Sequence, residues 1–350
     1  MRDFHTQSIK EEAHVGAARR GVRRFAAALG FSEDRLAELD IVVQEIGTNA
    51  VRYATGGGCL HWAQTLGEES GLELFYYDKG PGVYDLERAL RDGVSSGGSL
   101  GTVFGAMRRL LDELDVYSSV KGTTRRLTTA RRTTYGTALL GRKWVAPLAT
   151  EEQRERARRV PRRIGAWSRP RPGEEANGDA YCIKEHDGET LLAVVDGLGH
   201  GRGAREAAKA ALDTLGQWEG EPLGELIMGV HDALRSTRGA VMGAVVLSPA
   251  RRSFTYAGVG NIEVRVLGAT EPARPIPSNG TLGARLSQVR VWPHRWAAGT
   301  TVVMASDGLS ATWDLANYPG LISRSPQLLA GILLRDFGRK SDDATVLVYR

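Results

Sequence analysis

Cysteine is nearly absent from this 350-residue sequence: only Cys59 and Cys182 occur, and they form no Cys-x-x-Cys pair. That excludes a disulfide framework and a thiolate zinc site. Long hydrophobic runs are missing too. The longest apolar stretches, such as 239–247 and 300–305, fall far short of the roughly 20 residues that cross a bilayer, so they read as buried strands and no membrane partner is expected. No basic segment with an apolar run and a small-residue cleavage site opens the sequence, which makes a cytoplasmic location the expectation. Charge of one sign does not dominate, the formal net charge being +5. Its one basic cluster, between Arg154 and Arg171, carries no aromatic-interleaved basic face. The cluster reads as a connection, and no nucleic-acid partner is expected.

What is present is the composition of a soluble globular protein, 42% hydrophobic and 25% charged. The length predicts two domains. Over residues 32–53 the apolar positions Leu36, Leu39, Val42, Val43, Ile46 and Ala50 recur at the three-to-four spacing of an amphipathic helix, with Ser32 as its N-cap. Strands are predicted at 59–66, 72–77, 115–119 and 123–132, with a helix over 103–113, giving an α+β half. Residues 141–170 combine a charged helical run with Pro161 and Pro170 and read as a linker. Beyond it, strands are predicted at 180–184, 190–195, 239–247, 253–259, 262–267, 289–292, 300–306 and 344–349, with helices over 203–218, 222–236 and 326–337. The second half therefore reads as a β-sandwich flanked by helices.

Four acidic sites in that half share one context, a predicted strand meeting glycine or another carboxylate. They are Asn177-Gly178-Asp179, Asp196-Gly197-Leu198-Gly199-His200-Gly201, Ser306-Asp307-Gly308 and Ser341-Asp342-Asp343. Singly, each Asp-Gly pair reads as a hairpin turn. Together, carboxylates at strand ends can converge on one edge, where hard divalent cations prefer oxygen ligands and two ions can drive hydrolysis at phosphorus. Their order, with Arg238-Gly239-Ala240 and the run from Phe254 to Asn261, resembles the metal-dependent protein phosphatase (PPM) superfamily in its SpoIIE and RsbX-like branch. The resemblance implies a PPM-type αββα sandwich over 171–350 holding two Mn²⁺ or Mg²⁺ ions. Asp196, Asp307, Asp342 and Asp343, with the Gly197 carbonyl, would be ligands. Asp179 would act through metal-bound water, and Asp179, Asp196, Asp307 and Asp342 form the implied catalytic set. His200 reads either as a turn residue or as a proton donor. An arginine for substrate phosphate would be Arg169 or Arg171.

In the first half, Glu45 and Asn49 stand four apart on one helix face. Asp78-Lys79-Gly80-Pro81-Gly82, Ser96-Gly97-Gly98-Ser99-Leu100-Gly101 and Gly122-Thr123-Thr124 follow in order. The series resembles the GHKL (Bergerat) ATPase fold, most closely the RsbT and RsbW anti-sigma-type serine kinases, and implies a histidine-kinase-like α/β sandwich over 8–140 that binds ATP-Mg²⁺. By that resemblance Glu45 activates the attacking hydroxyl, Asn49 holds Mg²⁺, Asp78 accepts from the adenine amino group, and Gly80, Gly82, Gly98, Gly101 and Thr123 shape the nucleotide site. Val103 stands where the family's lid has a second glycine, and a β-branched residue restricts the backbone there.

The combined resemblance implies a protein-serine/threonine phosphatase joined to a kinase-like module. It would act on a phosphorylated STAS-domain protein of a partner-switching or stressosome system that governs sigma-factor or stress signalling. The alternative is a regulatory protein whose GHKL module docks STAS partners with little or no turnover.

Overall fold

The computed structural model describes residues 4–67, 69–92, 100–120, 135–268, 275–286, 288–297 and 299–350. It divides into two compact units, one of residues 2–162 with 314–332 and the other of residues 163–313 with 333–350. Among the described residues no helix is long and apolar enough to cross a membrane.

The first unit begins with β1 (His5–Ile9), α1 (Glu12–Ala28) and α2 (Glu33–Tyr53). It continues through β2 (Gly58–Gln64), β3 (Gly71–Asp78), α3 (Leu86–Asp92), α4 (Leu100–Leu110), β4 (Glu113–Ser119), β5 (Gly136–Trp144) and α5 (Glu151–Arg163). Its sheet runs in the order β1-β2-β3-β5-β4, every pair antiparallel. Strand alternation on β3 sends Leu72, Leu74 and Tyr76 into a core with the α2 stripe of Leu36, Leu39, Val43 and Ile46. The opposite face carries charge. Arg142 donates to Glu73 at 2.8 Å and to Glu113 at 2.9 Å, and Glu113 also accepts from Arg158 of α5. Residues 314–332 join this unit, the Ser325 N–H donating to Asp115 at 2.8 Å.

The two charged residues Arg142 and Lys143 lie in β5, only 5% and 2% exposed. The stretch read as a linker thus holds the end of β5, then α5, then β6. Of the strands predicted from sequence, 123–132 lies outside the described residues, and β1 and α1 were not predicted.

The second unit contains β6 (Ile164–Arg169), β7 (Asp179–His186), β8 (Glu189–Gly197), α6 (Arg202–Leu215) and α7 (Leu223–Ala233). After these come β9 (Ala240–Ser248), β10 (Ser253–Val259), β11 (Glu263–Leu267), β12 (Val291–Arg295), β13 (Thr301–Ala305) and β14 (Ala344–Tyr349), while α8 (Pro326–Phe337) starts within residues 314–332 of the first unit and ends within residues 333–350 of this one. One sheet is ordered β12-β10-β9-β8-β7 and the other β11-β13-β14-β6. They face each other through small and flexible side chains, with Gly243 of β9 close to Ile262 and Met304. Helix α6 lays Ala207, Ala208, Ala211 and Leu215 against Ala180, Leu191, Ala193 and Val195. Alanine on that stripe lets the helix lie close to the sheet. The architecture is the α+β pairing of two sandwiches that the sequence implied.

Candidate active and nucleotide sites

The four acidic motifs meet at one end of the second unit. Asp179 opens β7 and is the cross-strand partner of Asp196, the penultimate residue of β8. Asp307 follows β13, and Asp342 and Asp343 precede β14, the antiparallel neighbour of β13. Carboxylates thus come from both sheets to one cleft, whose walls include Asp196, Asp307 and Asp342 together with Arg171, Asn261 and Asn279.

Two glycines make this convergence possible. A Cβ on Gly197 would lie 2.2 Å from the Ala204 carbonyl oxygen, and one on Gly308 would lie 1.7 Å from the Asp343 carbonyl oxygen. Neither backbone can yield, so any larger residue would push α6 or the β14 lead-in away from the cleft.

Each carboxylate is held differently. Asp179 is buried and accepts a 2.6 Å hydrogen bond from Ser306 Oγ, which itself accepts the Thr345 N–H at 2.9 Å. Burial, then the Asp196 charge, pushes its carboxyl well above the usual range. Asp196 is pushed up to about 7, first by burial and then by Asp307, Asp342 and Asp343. Asp343 uses both oxygens on backbone, accepting the Arg171 N–H at 2.7 Å and the Gly178 N–H at 2.9 Å. Burial raises its carboxyl while those N–H groups pull the other way. Asp307 Oδ2 accepts from Asn261 Nδ2 at 2.9 Å.

Among the described residues, no three carboxylate, thiol or imidazole groups are already gathered at metal-ligating spacing. The donor set nevertheless suits a hard cation. It is all oxygen, and its like charges raise one another's proton affinity, which is the electrostatic demand a divalent ion meets.

His200 Nδ1 lies 3.0 Å from Glu174 on the rim. Arg169 donates to the carbonyls of Pro170, Asp342 and Arg339. Arg171 faces the cleft. Asn261 and Glu174 were not singled out for a role from sequence. Asn261 follows a Gly-x-Gly turn, a signal of close backbone approach, whereas Glu174 offers none.

In the first unit, Asn49, Asp78, Gly80 and Gly82 line one pocket, with Ile46, Phe104, Met107 and Leu139 as apolar wall. Asp78 is held by three donors: Oδ1 accepts the N–H groups of Gly80 at 2.8 Å and Thr137 at 3.1 Å, and Oδ2 accepts the Tyr76 hydroxyl at 3.0 Å, which leaves Oδ2 able to accept once more. Burial first, then Asp78, pushes the Tyr76 hydroxyl far up, so it stays a donor. Glu45 stands one turn before Asn49 on α2, outside the pocket lining. Gly101 lies in α4, and Gly98 and Thr123 lie outside the described residues. Thr137, from a strand not predicted, supplies the second N–H to Asp78.

Comparison with known proteins places these two sites in context. A family model described as "Histidine kinase-like ATPase domain" matches residues 9–129. The serine/threonine-protein kinase RsbT of Bacillus subtilis (strain 168) is 32% identical over 119 residues, covering 34% of this chain and 89% of RsbT. The phosphoserine phosphatase RsbX of the same organism is 28% identical over 139 residues, covering 39% of this chain and 70% of RsbX. A solved structure concerning the bacterial stressosome, as a modular system adapted to control secondary messenger signaling, aligns with a TM-score of 0.51 and 31% identity. It covers 54% of this chain and 98% of its own.

Proposed function

We infer that this chain removes phosphate from protein serine or threonine under the influence of an ATP-binding module, because it belongs to two families at once: its N-terminal module is a histidine kinase-like ATPase domain of the RsbT type, and its C-terminal module is a PPM-type serine/threonine phosphatase domain of the RsbX type. The observation that carries the reading is the single cleft lined by Asp196, Asp307 and Asp342, in which burial first, and then Asp307, Asp342 and Asp343, pushes Asp196 up to about 7. Such a cluster is costly to hold together except around a cation.

Asp196, Asp307 and Asp342, with the Gly197 carbonyl, would hold two Mn²⁺ or Mg²⁺ ions, which when bound supply Lewis-acid polarisation and an activated water. The chain's own residues do the rest. Asp179, cross-strand from Asp196 and itself fixed by Ser306, would act through metal-bound water. Asp343 clamps the 171–178 loop through its two N–H bonds. Arg171 is assigned to the substrate's phosphate oxygens, since Arg169 is committed to backbone carbonyls. In the N-terminal module, Asp78 would accept from the adenine amino group within the apolar pocket and Asn49 would face the Mg²⁺-bound phosphates.

The substrate class that suits both modules is a phosphorylated STAS-domain protein in a cytoplasmic partner-switching or stressosome circuit. Full-length chain incubated with such a protein should release phosphate only with Mn²⁺, and Asp196→Asn and Asp307→Asn should abolish the release; retained activity in both variants would sink the reading. For the N-terminal module alone, Val103 in place of the family's second lid glycine favours a second reading, in which nucleotide is bound and sensed, or STAS partners docked, with little phosphoryl transfer. Incubation with ATP and the dephosphorylated protein separates the two, because only a kinase adds phosphate.

A further inference from the structure

One polar contact in the cleft has no part in the ligand set. Asn261 Nδ2 donates to Asp307 Oδ2 at 2.9 Å, and Asp307 Oδ1 makes no hydrogen bond among the described residues. A side chain on the cleft lip could take many rotamers, but the backbone beneath this one is well defined. Gly260, at φ +94°, packs where a Cβ would lie 2.2 Å from Val241 Cγ1. Its N–H donates to the Ser278 carbonyl at 3.0 Å, and the Ser278 N–H donates to the Gly258 carbonyl at 2.8 Å. Ser278 Oγ in turn accepts the Arg290 N–H at 3.0 Å. The turn after β10 is thus laced to a second loop, and the pair delivers Asn261 to Asp307.

The chemistry of a carboxamide suits this place. A lysine or arginine would neutralise Asp307 and weaken its hold on a cation. An aspartate would add repulsion to a cluster that already raises Asp196. An asparagine donates a directional hydrogen bond at no cost in charge, holding one oxygen while leaving the other toward the cleft.

We propose that Asn261 is a positioning residue that presets the Asp307 carboxylate for a divalent cation, so that its carboxamide sets cation affinity in that half of the site. The inference rests on the reading that the cleft binds Mn²⁺ or Mg²⁺. Partners that orient a metal-ligating carboxylate typically change affinity by about 10-fold or more when removed.

The test is calorimetric titration of the full-length chain with Mn²⁺, for the wild type, Asn261→Ala and Asn261→Gln, with melting in chelator and phosphatase assays alongside. Asn261→Ala should weaken the tighter or weaker of the two Mn²⁺ steps by about 10-fold, with melting in chelator unchanged and lost turnover recovered by excess Mn²⁺. Asn261→Gln, which keeps the donor, should lie between. Unchanged Mn²⁺ affinity in Asn261→Ala overturns the proposal, whether activity is intact or the phosphoprotein KM rises, the latter marking a substrate contact instead. A lower melting temperature in chelator for both variants also overturns it, since the role would then be structural. If the wild type binds no Mn²⁺, the phosphatase reading itself fails and the inference goes with it.

Discussion

The two modules bury charge in opposite ways. In the ATPase module Arg142 sits between Glu73 and Glu113, Lys143 pairs with Glu38 at 2.6 Å, and Asp78 receives three donors. In the phosphatase module Asp179, Asp196 and Asp343 are brought near Asp307 and Asp342, and among the described residues none of the five forms an ion pair with lysine or arginine. Charge that is compensated within the chain serves the fold or presents a fixed acceptor. Charge left uncompensated raises proton affinity and favours a cation from solution. The contrast therefore separates the site proposed to recognise by hydrogen bonding from the one proposed to work through metal.

Substitutions on either side can break that contrast. The largest effect is expected for Asp196→Asn, which should lower Mn²⁺-dependent phosphate release by roughly a thousandfold, corresponding to the several kcal/mol a metal Lewis acid supplies. ATP binding measured on the same variant should not change. Next, Arg142→Met should leave Glu73 and Glu113 buried without their partner and destabilise the ATPase module by about 3 kcal/mol, read as a lower denaturation midpoint. The phosphatase-module aspartates gain nothing from Arg142, so a matching loss of Mn²⁺ affinity would break the comparison.

A smaller effect is expected at the nucleotide pocket. Asp78→Asn keeps one acceptor oxygen but loses the charge, and should weaken ATP binding by about 2 kcal/mol, the scale of a charge-assisted hydrogen bond, as measured by equilibrium titration. Phosphate release without ATP should be untouched. The smallest concerns His294, stacked on Phe254 at 4.8 Å, whose imidazole is held below its ordinary value by partial burial. Because the folded protein favours the neutral ring, its contribution to stability is full above about pH 6.5, the unfolded value, and is lost as pH falls below that through the lower folded value. His294→Gln should flatten the acid side of the stability profile slightly, as followed by thermal melting across pH.

Much of the phosphatase module was legible in the sequence because its signals are local. Asp196-Gly197 and Asp307-Gly308 advertise carboxylates at strand ends, and the helix over 326–337 matches its apolar spacing. β5 was not legible, since Arg142 and Lys143 look like solvent residues until Glu73, 69 positions away, is seen to pair with Arg142. The same holds for α1, where Val15, Ala18, Val22 and Ala26 form a thin apolar stripe amid arginines. The Asn261–Asp307 bond spans 46 positions, and no local pattern encodes it. Glu113, expected at the end of a helix, instead begins β4 because its carboxylate completes the Arg142 pair.

The most direct test follows intact mass of a serine-phosphorylated STAS-domain protein incubated with the full-length chain, with Mn²⁺ and with chelator. The account predicts loss of the phosphate with Mn²⁺, no loss in chelator, and no loss with Asp196→Asn under either condition. Equal dephosphorylation in chelator, or by Asp196→Asn with Mn²⁺, would contradict it.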